Sequence, residues 1–297
     1  MQVLYMVENQ NQISPGTLLQ KEFDKTRNLF VFLVHLVHEV ALYAEIEARQ
    51  RASKNLPNQD DLSVNIKLAG NNIVWQTLEA ENFKKAIALV HPEQWINNDI
   101  VKSLFRNLSE SSIYKAYIED QNRDKVKEKE ILKYLFGTLI LESDTIIEYI
   151  DEHFGHWEDE GEMMVDFMLN YLQKPGSIDF LDLVGESKMK FAIDLLQTAI
   201  DKKIFTEEII KPKLNNWDPD RIAVLDMILL RLGVCELLYF ETIPTKVTIN
   251  EYIDIAKEYS TEQSGQFVNG ILDNIHKELM AAGKIQKISH NPKESKK

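Results

Sequence analysis

Apolar residues recur three and four positions apart along almost the whole chain, and little interrupts them. That is the α-helical period; the alternation expected of strands is scarce. Only 11 Gly and 8 Pro punctuate 297 residues. The pattern predicts an all-α protein with helices over 1–9, 16–53, 72–80, 81–90, 98–108, 111–120, 127–141, 143–153, 161–173, 186–201, 205–214, 217–240, 247–259 and 261–280. The long second helix is expected to bury one side, with Phe23, Leu29, Phe30, Leu33, Val37, Val40 and Ala41.

The length allows two average domains or one large one. Its most apolar stretch, "NLFVFLVHLVHEVALYAEI", is broken by His35, His38 and Glu39, so it reads as a buried helix rather than a bilayer span. Residues 1–13 lack the basic start and apolar block of a secretory signal. A single cysteine, Cys235, leaves no disulfide framework. Together these lead to the expectation of a cytoplasmic protein without a membrane partner. The net charge of −13 argues against broad nucleic-acid binding but leaves room for a local site.

A shift of 60 residues lays Leu135, Thr138, Ile140, Glu148, Ile150, Trp157, Asp166 and Leu169 on Leu195, Thr198, Ile200, Glu208, Ile210, Trp217, Asp226 and Leu229. Each copy reads helix, short helix, Trp-acid turn, helix, which suggests a duplicated helical unit. The charged run "EDQNRDKVKEKE", 119–130, is the expected boundary ahead of it.

Sites of chemistry are sparse. "HLVHE" at 35–39 and "HFGH" at 153–156 hold histidines three apart, but neither is the HExxH zinc arrangement and neither has a companion cluster. Packing or surface histidines are the favoured reading. No phosphate-binding Gly-rich loop and no GxSxG elbow occurs. Cys235 lies in an apolar stretch and reads as a small buried side chain. "WEDEGE" reads as an acidic helix entry. No catalytic residue, metal or cofactor is assigned, and no enzyme activity is expected.

Residues 217–279 carry more. "DRIAVLDMILLRLGVCELLYF", "IPTKVTINEYIDIAKEYST" and "SGQFVNGILD" occur in that order. Thr248 and Glu251 have capping-box spacing, and Ser260 with Gln263 offers a second capping signal. Gly265 and Gly270 are each unfavourable by about 1 kcal/mol in a helix; Gly270 is expected to admit a close helix or backbone. These three blocks resemble the central helix, the Pro-x-Lys-Val-x-Ile-Asn-Glu signature and the final-helix motif of the NusB family of transcription antitermination factors. "MQVLY" at the start is similar to the family's first-helix signature.

The resemblance implies an all-α, NusB-like helical bundle with a large additional N-terminal helical region. On that reading 1–16 is the first-helix segment, 17–127 a helical insertion, 128–280 the NusB-like core with 217–279 the strongest match, and 281–297 a basic tail. It implies a non-enzymatic antitermination factor that binds boxA-like single-stranded RNA of ribosomal RNA transcripts. Its partners would be the ribosomal protein NusE and an RNA polymerase antitermination complex. The RNA-binding residues it implies are Gln2, Tyr5, Lys246, Gln263, Gln266, Phe267 and Asn269, with Phe267 as a stacking ring and Lys246 on a phosphate. Asp226 matches an acidic position associated with the ribosomal-protein partner. The family's arginine-rich segment, which precedes the first-helix signature, is missing from this sequence, so weaker RNA binding is expected. The rival expectation is a helical interaction scaffold that kept the fold without the RNA.

Overall fold

The structure is a computed structural model of the chain. It describes residues 1–9, 14–62, 64–120, 122–155, 157–214, 222–261 and 263–288. Among the described residues every regular element is helical. In chain order they are α1 (Gln2–Asn9), α2 (Pro15–Ala52), α3 (Gln59–Leu62), α4 (Asn72–Glu79), α5 (Glu81–Val90), α6 (Asn98–Glu110), α7 (Ser112–Glu119), α8 (Lys125–Tyr134), α9 (Asp144–Phe154), α10 (Trp157–Gln173), α11 (Glu186–Asp201), α12 (Lys203–Ile210), α13 (Val224–Tyr239), α14 (Thr245–Tyr259) and α15 (Ser264–Ala281). The second Trp turn of the expected repeat, with Trp217, lies outside the described residues, as do His156 and most of the basic tail.

The chain forms two compact units. The first, here the terminal unit, comprises Met1–Lys21 and Gly185–Lys297; the second, the inserted unit, comprises Glu22–Val184. The division expected at 127/128 falls within α8, inside the inserted unit.

Four helix starts in the inserted unit follow the capping rule. The side chains of Asn71, Asn97, Ser111 and Asp124 accept from the first free amides of α4, α6, α7 and α8, at 2.9 Å, 2.9 Å, 3.2 Å and 2.8 Å. At the far end of α7, the Lys67 ammonium donates to the carbonyls of Tyr117, Asp120 and Asn122 at 2.7 Å, 2.5 Å and 3.1 Å. Helix α8 does not run on to 141 as an α-helix. It passes into a π-helical turn over Leu135–Ile140, where the Leu141 amide reaches back five residues to Phe136 at 3.1 Å.

The core of this unit is built around α2. From Leu29 to Ala44 only His35, Glu39 and Leu42 keep partial exposure, so the helix is buried on all sides rather than one. By length and composition α2 also passes the test for a bilayer-crossing helix, yet 72% of its most apolar window is buried inside the protein. Its most deeply buried polar group is His38. Its Nε2 lies 2.8 Å from the Tyr171 hydroxyl, which lies 2.7 Å from the Thr77 hydroxyl; Thr77 donates to the Ile73 carbonyl at 2.9 Å. The histidines of "HLVHE" are thus packing groups, with His35 3.7 Å from Glu39. At α10 the acidic entry Glu158, Asp159 and Glu160 complements the helix dipole, and Glu160 accepts from Thr26 at 2.8 Å.

The terminal unit has its own core, gathered around α13. Every residue from Ile228 to Leu237 is buried, including Arg231. The Arg231 guanidinium donates to the Ala199 carbonyl of α11 at 2.9 Å and pairs with Glu8 of α1. Lys203 of α12 joins Glu8 at 2.9 Å. Burial pushes the Glu8 carboxyl pKa up, but hydrogen bonds from Lys203 and Arg231 outweigh it and hold the group below its ordinary value.

Burial, helped by the neighbouring His35, depresses the His38 pKa to about 3, against about 6.5 in an unfolded chain. The unfolded state therefore takes up a proton that the folded state refuses. Stability is complete above pH 6.5 and falls as pH drops toward 3. The expected loss between pH 7 and 5 is about 2 kcal/mol from this residue. Urea titrations at both pH values check it, and His38→Gln should flatten the difference.

Candidate nucleic-acid interface

Helices α14 and α15 form a hairpin laid on α13. Asp226 near the start of α13 meets Ser264 at the start of α15, and Gly233 two turns on faces Leu272, so the two helices run side by side in the same direction. A Cβ on Gly233 would stand 2.9 Å from the Leu272 side chain and 3.3 Å from Tyr252, so glycine is what lets the helices approach. Gly265 likewise lies against the Lys257 side chain of α14. Gly270 does not follow the expectation of close packing: nothing lies within 4 Å of its would-be Cβ, and it is exposed.

The capping expectations are corrected at both helix starts. Helix α14 begins at Thr245, behind Pro244, whose fixed φ suits the entry. Thr248 therefore sits one turn inside, with a buried hydroxyl that has no partner, and no capping box forms. At α15 the side chain of Gln263 makes no cap. Instead the Ser264 hydroxyl gathers the entry: it accepts from the Thr261 amide at 3.2 Å and lies 2.8 Å and 3.0 Å from the hydroxyls of Thr261 and Ser260. It donates to Asp226 Oδ2 at 2.9 Å.

The residues expected to meet RNA divide by exposure. Gln263, Gln266 and Asn269 are exposed along one side of α15, with Gly270 beside them. Helical spacing brings Gln263, Gln266 and Gly270 onto adjoining turns. Gln2 and Tyr5 are exposed on α1, whose Val3 and Leu4 enter the core on the other side. Lys246 is exposed in the first turn of α14. Because Gly265 packs beside Ile253 and Lys257, Lys246 stands roughly 10–16 Å along the hairpin from the Gly265 level, at 1.5 Å per residue, and the antiparallel course of α15 makes Asn269 the nearest of the three carboxamides to it.

Phe267 points inward. It is 4% exposed and packs in the core with Val268, Ile271 and Leu272. The stacking ring expected there is therefore turned away from solvent: the Phe267–Ile271–Ile275 row is buried in the core of the terminal unit, beside the Ser264–Val268–Leu272 row that meets α13. Asp226 is 5% exposed, and its hydrogen bond is internal, to Ser264. This polar anchor under the start of α15 was not legible as such: only the spatial pairing of residues 38 apart reveals it.

Charge is unevenly shared. The inserted unit holds 29 acidic and 17 basic residues, net −12; the terminal unit holds 18 and 17, net −1. The argument from net charge against broad nucleic-acid binding thus bears on the inserted unit as a whole, not on a local site within it, and leaves the α14–α15 surface in a nearly neutral body. Cys235 is wholly buried, and burial pushes its thiol pKa up to about 12, which removes it as a nucleophile.

A wholly helical terminal unit, with a buried central helix and an α14–α15 hairpin ending in "SGQFVNGILD", defines a class of small all-α proteins. Residues 157–277 match the sequence model of the NusB family. The transcription antitermination protein NusB of Methylacidiphilum infernorum is 40% identical over 135 residues, 45% of this chain and 89% of that protein. NusB of Fervidobacterium nodosum is 56% identical over 72 residues, 24% of this chain and 51% of its own. NusB of Chloroherpeton thalassium is 38% identical over 107 residues, 36% of this chain and 51% of its own. The chain therefore spans about half the length of two of these relatives. A solved structure of T. maritima NusB is similar at 33% identity, covering 37% of this chain and 82% of that one, with a TM-score of 0.30. The chain belongs to the NusB family.

Two glycines separate packing from surface roles. Gly233→Ala should destabilise the terminal unit by about 1–3 kcal/mol through overpacking against Leu272. Gly270→Ala should stabilise it by about 0.5–1 kcal/mol, since nothing obstructs the new methyl. Thermal or urea unfolding of the two variants measures both signs.

Proposed function

We propose that the chain is a transcription antitermination factor. It would bind a boxA-like single-stranded element of ribosomal RNA transcripts in the cytoplasm, with the ribosomal protein NusE and an RNA polymerase complex. The observation that carries the reading is the exposed face of α15. It offers the carboxamides of Gln263, Gln266 and Asn269 beside Gly270, a residue unfavourable for the helix and unexplained by packing. Carboxamides both donate and accept, so they suit the edges of unpaired bases, and a bare glycine lets a strand come close. The names of the relatives, transcription antitermination proteins, support the same reading.

With Phe267 in the core, the exposed aromatic among the implied residues is Tyr5, 43% exposed on α1. It takes the stacking role, and Lys246 meets a phosphate further along the strand. Asp226 acts from beneath by holding the Ser264 turn, which sets where the carboxamides stand for RNA and for the ribosomal-protein partner.

Fluorescence anisotropy with a boxA RNA, with and without NusE, tests the reading. Binding should strengthen with NusE, and Gln266→Ala/Asn269→Ala and Tyr5→Ala should each weaken it about tenfold or more. Phe267→Ala should chiefly lower stability, by about 3–5 kcal/mol. Absence of salt-sensitive RNA binding under both conditions overturns the proposal in favour of a protein-only scaffold.

A further inference from the structure

The charge pattern on α8 is unlike that on the rest of the inserted unit. Elsewhere its surface sets opposite charges three or four apart, as in Lys25–Glu22 at 3.0 Å, Arg51–Glu47 at 2.6 Å and Arg106–Glu110 at 3.2 Å. On α8 like charges also stand four apart, with Glu130 the one carboxylate in the groove they line. Lys125, Lys129 and Lys133 stand four apart and line one groove of about 250 Å³ with Val126, Glu130 and Gln173. Like charges at that spacing weaken a helix. Lys125 is also the first residue of α8, where the helix dipole disfavours a cation. Lys129 has a structural use, since its ammonium donates to the last carbonyl of α10, at Gln173, at 2.8 Å. Among the described residues no hydrogen bond or ion pair engages Lys125 or Lys133, although the unit carries 29 carboxylates.

A ladder that sets like charges four apart on its own helix, with two of its three ammonium groups left unpaired in an acidic body, is suited to an external polyanion. Its period is about 6 Å, four residues at 1.5 Å each, a regular comb of cations rather than a point site. We propose that the α8 groove of the inserted unit binds the phosphate backbone of a single-stranded RNA, as a second RNA contact separate from the α15 face. The identity of the polyanion rests on the antitermination reading; the existence of the site rests on the ladder. Contact is with phosphates, so it is indifferent to base sequence.

The test uses the full chain, a labelled 20-nucleotide polyuridylate, and the boxA RNA. Lys125→Gln/Lys133→Gln should leave thermal stability equal or higher, which a structural role for these lysines would not allow. It should weaken polyuridylate binding and make its salt dependence shallower by about 1.4 in log–log slope, two phosphates at about 0.7 each. The affinity ratio between 50 and 200 mM salt should then change about sevenfold less than in the parent protein. Gln266→Ala/Asn269→Ala should leave the polyuridylate slope unchanged while weakening boxA. If boxA binds and the lysine variant changes neither slope nor affinity, the α8 site is wrong and the α15 reading stands. If polyuridylate binds through α8 but boxA shows no preference, the α8 site stands and the α15 reading falls. If a polyglutamate peptide binds through the lysines and RNA does not, the proposal is overturned.

Discussion

Arg231 is a guanidinium 1% exposed in the middle of the most apolar helix of the chain. A charge so placed is tolerable only when it is paired and hydrogen-bonded. Glu8 supplies the charge and the Ala199 carbonyl a second acceptor, so α1, α11 and α13 must arrive together for the group to be satisfied. Such a pair contributes little net stability over an apolar core, but losing one partner leaves a buried charge and costs about 3–5 kcal/mol. Its effect is on arrangement. A short N-terminal helix of eight residues has little helical stability alone, and this pair fixes which of its faces looks outward. Glu8 follows Tyr5 by one helical step of three residues, so holding its carboxylate at Arg231 fixes the rotation of α1 and with it the outward position of Gln2 and Tyr5.

The two units solve the same problem separately. Each surrounds one helix that is apolar on all sides, α2 in the inserted unit and α13 in the terminal unit, and each carries a polar group inside that helix. In α2 it is a neutral histidine in a chain with Tyr171 and Thr77; in α13 it is the Arg231 cation. Residues 22–184 thus form a body with its own core and not a long loop. That body carries −12 of the chain's net −13, which leaves the terminal unit electrically almost neutral.

Helix positions were legible because apolar spacing states them directly: α5 was expected over 81–90 and lies at Glu81–Val90, and α11 over 186–201 lies at Glu186–Asp201. What spacing does not state is a change of hydrogen-bond register within a continuous helix, as at Leu135–Ile140. Nor does it state which of two capping residues wins. Pro244 started α14 ahead of Thr248 because its backbone is already set for the entry. The family blocks marked the α14–α15 surface, yet Phe267 could be read inward or outward from its i, i+4 partners alone. Contacts far apart in sequence decided it, as they did for Glu8 with Arg231 and for Asp226 with Ser264.

The solitary thiol has a practical consequence. Cys235 lies at the centre of the terminal unit with no exposed surface, whereas Trp75, Trp95 and Trp157, three of the four tryptophans, belong to the inserted unit. Thiol labelling with a disulfide reagent can proceed only when the terminal unit opens, while indole emission follows chiefly the other body. The native sequence therefore carries two orthogonal clocks, and the order in which the halves come apart can be timed without introducing a single probe.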